Sequence, residues 1–281
     1  MLTIRSNIAA AAARRQLSRS SHDVQGNFAK LSSGYRITQA SDDAAGLAVV
    51  TNMVAQIRGY QQATRNANDG ISVIQTVESA LNEGSRLLTR LRELTMQAAS
   101  DGIGTTERGY LKSEVDNILQ ELDRISASVE YNSVKVLDGS LTTMSFQVGV
   151  RGTTNDFIAV TLKDVGLSSL GLAGSAYSTK FTKTASAGVF RGLLDKLDTA
   201  IETISNFRAD LGASANRLMS VMETISVATQ TTEAAASRIR DVDVAEESAK
   251  LSANQVLVQA GVSVLAQANQ APQAALKLLG G

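Results

Sequence analysis

The sequence is first notable for the residue types that it lacks. It has no cysteine and no tryptophan, one histidine, one proline, and aromatic residues at only 4% of its 281 positions. Without cysteine, disulfides, thiolate nucleophiles and cysteine-based metal sites are excluded. A single histidine, His22, cannot make a catalytic zinc site, and no HExxH motif occurs. We therefore interpret His22 as a surface residue and expect neither a metal site nor a catalytic site.

The scarcity of proline and of large aromatic rings predicts long helices that pack along narrow apolar seams, and not a compact aromatic core. Proline costs about 3 kcal/mol inside a helix, so the single Pro272 leaves most of the chain free to be helical. No apolar run is long enough to predict a transmembrane helix. The short apolar patch at residues 8–13 precedes Arg14 and Arg15, the reverse of a secretory signal. If the protein leaves the cell, we expect another export route.

Charge is balanced over the whole chain but is unevenly distributed. Residues 1–41 carry six basic side chains against one aspartate, whereas Lys277 is the only charged residue from Leu251 onward. The basic arm lacks the interleaved aromatics of a nucleic-acid site, so a solvated or partner-facing helix is favoured. The apolar tail has no basic face for a membrane surface, so we expect a partner helix to cover it.

The stretch from Gln62 to Gln97 organises the predicted fold. Its apolar residues recur at steps of mostly three and four, which predicts one helix with a narrow seam that must pair with other helices. We predict an uninterrupted helix of about 55 residues that ends near Ser100. Its weakest point is Asp69-Gly70, because Asp-Gly is a common turn dipeptide. The seam residues are Ala67, Ile71, Ile74, Val77, Leu81, Leu88, Leu91 and Leu94.

The remaining pattern predicts helices around a small β region. Helices are expected over 4–31, 108–130 and 193–240, and again after the acidic patch 241–247. Ser41 is the expected N-cap of the long helix, and adjacent Asp42 and Asp43 point too far apart to act as paired catalytic acids. Residues 131–190 predict short hairpin strands, and residues 166–188 predict a loop with low packing content. The expected strand residues are Val134, Val136, Phe146, Val148, Val150, Phe157, Ile158, Val160 and Leu162.

We therefore predict a mainly α fold, an elongated antiparallel helical bundle or coiled coil with a small β-hairpin region at its tip. Its domains would be residues 1–41 paired with 241–281, and residues 42–240 with 131–190 as the tip. The heptads of the terminal helices predict an assembly seam. Its residues are Leu17, Val24, Phe28, Leu31, Leu251, Val258, Val262 and Leu265.

Several ordered motifs resemble bacterial flagellins. They include LSSGYRITQASDDAAGLAV (31–49), RNANDGIS (65–72), LTRLRELTMQ (88–97), FQVGV (146–150), FRADLGASANRL (207–218), SRIRDVDVAEE (237–247) and QAGVSVLAQANQAPQAALKLL (259–279). Arg5-Ser6 and Thr38-Gln39 depart from the family's usual residues without breaking the pattern. Only about 40 residues separate the two matching blocks, so the chain resembles a minimal flagellin with the D0–D1 core and no large outer domains.

The resemblance implies a structural subunit, not an enzyme, that polymerises into the extracellular flagellar filament without a cofactor. It implies terminal helices that are disordered in the monomer and fold together on assembly, and export by the flagellar type III apparatus. The implied partners are copies of itself, alone or with other flagellins, an export chaperone, and cap and hook-junction proteins. The alternatives are a hook–filament junction protein, which would lack the 65–72 motif, and a signalling coiled coil, which would need a membrane tether.

The resemblance also implies a functional surface on the long helix. Arg90, Leu94 and Glu114 match positions that family members present to a Toll-like innate immune receptor. Arg92 and Glu93, on the same helix, are expected to contribute with them to a subunit-to-subunit surface. Serine and threonine residues over 139–188 are candidate O-glycan acceptors, although no sequence rule identifies which.

Overall fold

The computed structural model describes residues 7–173, 177 and 179–279, with side chains up to residue 270. This part of the chain contains five α-helices: α1 (Ile8–Ser33), α2 (Ala44–Ala98), α3 (Thr105–Ser128), α4 (Ala187–Arg240) and α5 (Val244–Leu279). It also contains the strands β1 (Glu130–Tyr131), β2 (Val134–Lys135), β3 (Thr143–Gln147) and β4 (Phe157–Thr161), and a 3₁₀ turn at Thr154–Asp156. The prediction of a mainly α fold with small β-hairpins is confirmed. The predicted helix start at residue 4 lies outside the described residues.

Short polar side chains and one glycine define several helix ends. The Asn7 carboxamide oxygen accepts from the Ala10 N–H at the start of α1, and Gly34 ends that helix with a φ of +74°. Such a left-handed conformation favours glycine because it has no Cβ. The Asp243 carboxylate accepts from the backbone N–H of Ala245 and caps α5.

The prediction that Ser41 is the N-cap of α2 is wrong. The carboxylate of Asp43 caps this helix instead, because it accepts from the Gly46 N–H at 2.9 Å. The neighbouring Asp42 binds the preceding turn, where its carboxylate accepts from the backbone N–H groups of Thr38 and Gln39. These bonds favour the ionised form, so they hold the pKa of Asp42 below its usual value.

Helix α2 runs without interruption through Asp69-Gly70 and is 55 residues long, as predicted. Gly70 does not form a turn, and its lack of a side chain permits close packing. A Cβ at this position would lie 3.1 Å from the Leu218 side chain of α4 and 3.1 Å from the Phe146 ring of β3. Glycine therefore lets a helix and a strand approach the α2 backbone together.

The chain divides into two compact units, residues 1–57 with 230–281 and residues 58–229. The second unit has a continuous apolar core contributed by α2, α3, α4 and the β region. Helix α3 supplies its regular heptad to this core, with Val115 fully buried. The largest fully buried side chains of the core are Leu81, Leu88, Leu91, Leu94, Leu137, Leu172, Tyr177, Phe181, Phe190, Leu193, Leu197 and Phe207.

The β region forms two antiparallel hairpins. Strands β1 and β2 are joined by Asn132 and Ser133, both with positive φ, which is the geometry of a tight hairpin turn. Strands β3 and β4 pair in register from Thr143↔Thr161 to Gln147↔Phe157. The predicted strand residues Val136, Val148, Val150 and Leu162 lie outside the strands. Val136, Val148 and Leu162 are nevertheless buried, because connecting segments also pack into the core.

The prediction that residues 166–188 have low packing content is wrong. Within the described part of this segment, Tyr177 and Phe181 are fully buried, and Phe181 packs edge-on against Phe190 of α4 with ring centroids 4.9 Å apart. The Tyr177 hydroxyl is hydrogen bonded to the Thr95 hydroxyl. Burial raises the pKa of Tyr177 to about 12. Residues 174–176 and 178 lie outside the described part.

Candidate assembly interface

Helices α1 and α5 pack side by side in opposite directions along a regular seam. The Asn7 carboxamide donates to the carbonyl of Ala268 near one end, and Asn27 meets Glu247 near the other. The buried and half-buried seam positions follow alternating steps of three and four, the spacing of a coiled coil. They are Ala10, Ala13, Leu17, Ser20, Val24, Asn27 and Leu31 in α1, and Glu247, Leu251, Asn254, Val258, Gly261, Leu265 and Ala268 in α5.

Small residues bring the two helices close together. A Cβ at Gly261 would lie 3.3 Å from Leu17 Cδ1 and 3.7 Å from its Cβ, so the Leu17 side chain packs on the α5 backbone. Ala10 and Ser20 occupy two further buried positions of α1. The seam therefore buries few large side chains, and its apolar stabilisation is correspondingly modest.

One level of this seam is polar. The Asn27 carboxamide donates to Glu247 Oε1 at 2.6 Å, and the Asn254 carboxamide donates to Asn27 Oδ1 at 3.0 Å. Asn27 and Glu247 are both buried. The Lys250 ammonium lies 3.8 Å from Glu247 Oε2 and 2.7 Å from Glu246. We call Asn27, Glu247 and Asn254 the polar layer.

Six of the eight predicted seam residues lie in the seam, and two do not. Phe28 is 61% exposed and Val262 is 52% exposed, so their placement in the seam is wrong. In each case the adjacent residue holds the seam position: Asn27 beside Phe28, and Gly261 beside Val262. The prediction selected the apolar neighbour, whereas helix phase places a polar or small residue against the partner helix.

The outer faces of α1 and α5 expose a group of large apolar side chains. Single exposed apolar residues are ordinary on protein surfaces, whereas many of them along two adjacent helices are typical of helices that other chains cover. We call this group the apolar outer face. It comprises Ile8, Phe28, Val244, Val256, Leu257, Val262 and Val264.

The connections at one end of the pair are joined by backbone contacts. Tyr35, after α1, forms an antiparallel bridge with Asp241, before α5. The Arg36 N–H donates to the carbonyl of Arg240 at 2.6 Å, and the Arg240 guanidinium lies 3.7 Å from the centroid of the Tyr35 ring. These contacts fix the two helix ends beside each other, with a cation–π contribution from Arg240.

Three charged residues of the surface predicted around α2 form one group of ion pairs: Arg90, Glu93 and Glu114. Arg90 donates to Glu114 of α3 at 2.8 Å and to Glu93 at 3.1 Å. Glu114 is the first cause, and Glu93 the second, of the raised pKa of Arg90. The prediction that Leu94 belongs to this exposed surface is wrong. Leu94 is 1% exposed because its helix phase turns it into the core with Leu91.

Arg92 belongs to a separate ion pair. Its guanidinium donates to Asp198 of α4 at 2.7 Å. This bond raises the pKa of Arg92 and lowers that of Asp198, because each charge favours the other's ionised form. Both side chains are largely exposed, so the pair contributes little to the stability of the folded chain.

Two other features are absent from the described residues. This part of the chain has no group of three or more His, Cys, Asp or Glu side chains arranged to hold a metal ion. None of its helices has the length and apolar character needed to cross a membrane.

A pair of helices that exposes many large apolar side chains is typical of a self-assembling structural protein. The model of the bacterial flagellin N-terminal helical region matches residues 4–142, and that of the bacterial flagellin C-terminal helical region matches residues 194–279. The chain belongs to the bacterial flagellin family.

Full-length relatives agree with this assignment. The chain is 39% identical over 279 residues to a flagellin of Halalkalibacterium halodurans, covering 99% of this chain and 100% of the relative. It is also 39% identical over 296 residues to the flagellar filament 33 kDa core protein of Treponema phagedenis, with the same coverage. A putative flagellar hook-associated protein of Vibrio parahaemolyticus shares the fold, with a TM-score of 0.61 over 71% of this chain and 100% of that one, at 12% identity.

The chain is therefore a structural subunit of the flagellar filament, self-associating and extracellular. It is a minimal flagellin without large outer domains. The full-length relatives favour this assignment over a hook–filament junction protein.

Proposed function

We propose that residues 1–41 and 241–281 form one assembly domain, and that its helices are disordered in the isolated monomer and fold together in the filament. Residues 42–240 form the second domain, which folds before assembly. The α1–α5 seam supports the proposal because it buries small and polar side chains. A pair with so little apolar burial gains stability from further contacts, and deferring the ordering cost to assembly keeps the monomer soluble.

The observation that carries the proposal is the apolar outer face. Its large side chains are exposed along both helices of the pair, and copies of the same chain supply apolar surface of the same kind. Contacts that repeat between identical subunits without closing generate a helical filament. The apolar outer face is therefore covered by neighbouring subunits in the polymer.

The surface around Arg90 is proposed as a second contact between subunits. Arg90, Glu93 and Glu114 form one exposed ion-pair group, and Arg92 lies on the same helix. An exposed network of both signs suits a polar contact with another copy. The family resemblance implies Arg90, Leu94 and Glu114 as contacts for a Toll-like innate immune receptor, and because Leu94 is buried we propose only Arg90 and Glu114 for this role.

The remaining partners and the export route are proposed from the family resemblance. They are the flagellar type III apparatus, an export chaperone that binds the apolar C-terminal segment, and the cap and hook-junction proteins. The absence of cysteine from the sequence suits a chain that is exported unfolded. An apolar segment of nearly uncharged sequence also requires a partner before assembly.

Polymerisation of variants tests the outer-face proposal. Phe28→Ser and Val262→Ser each remove an apolar contact from the outer face while leaving the seam intact. Burial of one such side chain contributes enough free energy that each variant should raise the critical concentration for polymerisation about tenfold or more. Sedimentation and negative-stain microscopy under salting-out conditions measure this change.

The matched control is Gln25→Ser, which changes an exposed polar side chain of the same helix. It should polymerise at the concentration of the unchanged protein. Deletion of residues 1–30 or 252–281 should abolish polymerisation and leave a soluble helical monomer. Normal polymerisation of both outer-face variants would contradict the proposed contact.

A further inference from the structure

The apolar pattern of the α1–α5 seam does not by itself define how the helices align. Leu17, Val24 and Leu31 recur every seven residues in α1, and Leu251, Val258 and Leu265 do so in α5. Sliding α5 by one heptad moves it about 10 Å and superimposes most apolar seam positions on equivalent ones. A seam with this repeat has several alignments of similar apolar burial.

The polar layer distinguishes these alignments. Asn27 holds the buried Glu247 carboxylate at 2.6 Å and accepts from Asn254 at 3.0 Å, so all three side chains have partners in the observed alignment. A slip of one heptad separates Glu247 from Asn27 and leaves a buried carboxylate without its amide donor. A buried carboxylate that loses a hydrogen-bond donor is costly even with Lys250 beside it, whereas an apolar layer would tolerate the slip.

The charged neighbour of the layer does not provide the same discrimination. Lys250 lies on α5 itself, in the turn after Glu247, and its ammonium is closer to the exposed Glu246 than to Glu247. Because Lys250 moves with Glu247 when α5 slides, their contact is the same in every alignment and does not favour one of them. Asn27 is the member of the layer that α1 contributes.

We propose that Asn27, Glu247 and Asn254 fix the register of α1 against α5 and so select the one pairing of the terminal helices that filament assembly uses. This inference rests on the proposed function, because it assigns the pair to assembly. A single buried polar residue at a seam position is known to specify coiled-coil register at some cost in stability. Here the layer joins segments more than two hundred residues apart in sequence.

Cysteine pairs provide a direct measurement of register, because the protein has no cysteine of its own. Leu17→Cys with Gly261→Cys reports the observed alignment, since a Cβ at 261 would lie 3.7 Å from Cβ of residue 17, which suits a disulfide. Leu17→Cys with Ala268→Cys and Ala10→Cys with Gly261→Cys report a one-heptad slip in either direction. Oxidised monomer with an intramolecular disulfide is separated from crosslinked dimer on a non-reducing gel.

The crosslinks are measured in pelleted filaments with two versions of the layer. With the native layer, the 17–261 disulfide should form about tenfold or more faster than either slip reporter, given the cost of an unpaired buried group. With Asn27→Leu, Glu247→Leu and Asn254→Leu combined, the slip reporters should form at rates within about threefold of the 17–261 pair. Exclusive formation of the 17–261 disulfide in the apolar version would overturn the proposal.

A charge exchange tests the same contact in case the apolar version does not assemble. Asn27→Asp places two carboxylates together and should lower the yield of the 17–261 disulfide about tenfold. Adding Glu247→Gln restores an amide donor opposite a carboxylate, with the two groups exchanged between the helices, and should restore the yield. A purely space-filling role predicts no such rescue, so an unrescued double variant would also overturn the proposal.

Two readouts separate this inference from the proposed function. If Phe28→Ser and Val262→Ser polymerise as the unchanged protein does, the assembly role of the pair fails. If the reporter proteins with the native layer form filaments but the 17–261 disulfide has no preference over the slip reporters, the register inference alone fails. Filaments with a strong preference that the layer variants abolish support both.

Discussion

The core of residues 58–229 and the seam between α1 and α5 use the same heptad spacing with different side chains. In the core, leucines and aromatic rings such as Leu88, Phe190 and Phe207 are fully buried. In the seam, the fully buried positions are the small or polar residues Ala10, Ser20, Asn27 and Glu247, while the leucines and valines of the heptad are only half-buried. Further large apolar side chains lie exposed on the outer face.

This contrast indicates which part of the molecule completes its packing alone. Burying a Leu or Phe side chain contributes about 1.5–3 kcal/mol, so the core of residues 58–229 has a large apolar contribution to stability within one chain. The terminal pair exposes large apolar side chains, including Phe28 and Val262, which we propose contact other copies. We therefore propose that the same spacing serves folding in one region and assembly in the other.

The largest expected effect is on the core of residues 58–229. Leu94→Ala removes a fully buried side chain and should lower the free energy of unfolding of this unit by about 2–5 kcal/mol. The control Met96→Ala, on the exposed face of the same helix, should change it by less than about 0.5 kcal/mol. Urea unfolding followed by circular dichroism measures both, and equal losses would mean that the two helix faces are not distinct in packing.

The next effect is an alkaline loss of stability that depends on Tyr177. The pKa of Tyr177 is raised in the folded chain from 10.0 to about 12, so the neutral form is favoured by folding. Its contribution is fully present below pH 10 and is lost as the pH rises through 12, with a total of about 1.4 kcal/mol for each unit of the difference in pKa. Urea unfolding at pH 9 and at pH 12 measures this loss.

Two tyrosine variants assign the alkaline effect. Tyr177→Phe should remove this component of the pH dependence, at a cost of about 1 kcal/mol for the lost contact with Thr95. Tyr110→Phe, at an exposed tyrosine, should leave the pH dependence unchanged. An identical pH dependence in both variants would show that burial of Tyr177 does not produce the effect.

The smallest expected effect concerns the exposed ion pair between Arg92 and Asp198. Both side chains are more than one third exposed, so Arg92→Ala should lower the melting temperature only slightly, and by less in high salt. Thermal unfolding at low and high salt measures the change. If Arg92→Ala lost as much stability as Leu94→Ala, surface charges would stabilise this region as much as its core does.

Helical periodicity was sufficient to predict most of the fold, including the uninterrupted α2 and the heptad of α3. It was not sufficient where the side chain in the seam is polar or small, because an apolar pattern selects Phe28 over Asn27 and Val262 over Gly261. Helix phase measured from Leu17, Val24 and Leu31 contains the signal that identifies Asn27. Leu94 was assigned to the surface by family resemblance, although its own spacing from Leu91 places it in the core.

The burial of Tyr177 and Phe181 was not predictable from periodicity. They lie in a segment rich in glycine, serine and threonine without a repeating apolar pattern, and their contacts with Thr95 and Phe190 join residues far apart in sequence. Large rings in a sequence with so few aromatics are the available signal, because they supply the most buried area for each residue.

In the filament, we propose, neighbouring subunits cover the apolar outer face. Thiol labelling of Val262→Cys in monomer and in filament tests it most directly, with Thr184→Cys as an exposed control in the second unit. We expect labelling of position 262 to slow about tenfold or more on polymerisation, relative to position 184, because close-packed interfaces exclude the reagent. Equal labelling of position 262 in monomer and filament would contradict the claim.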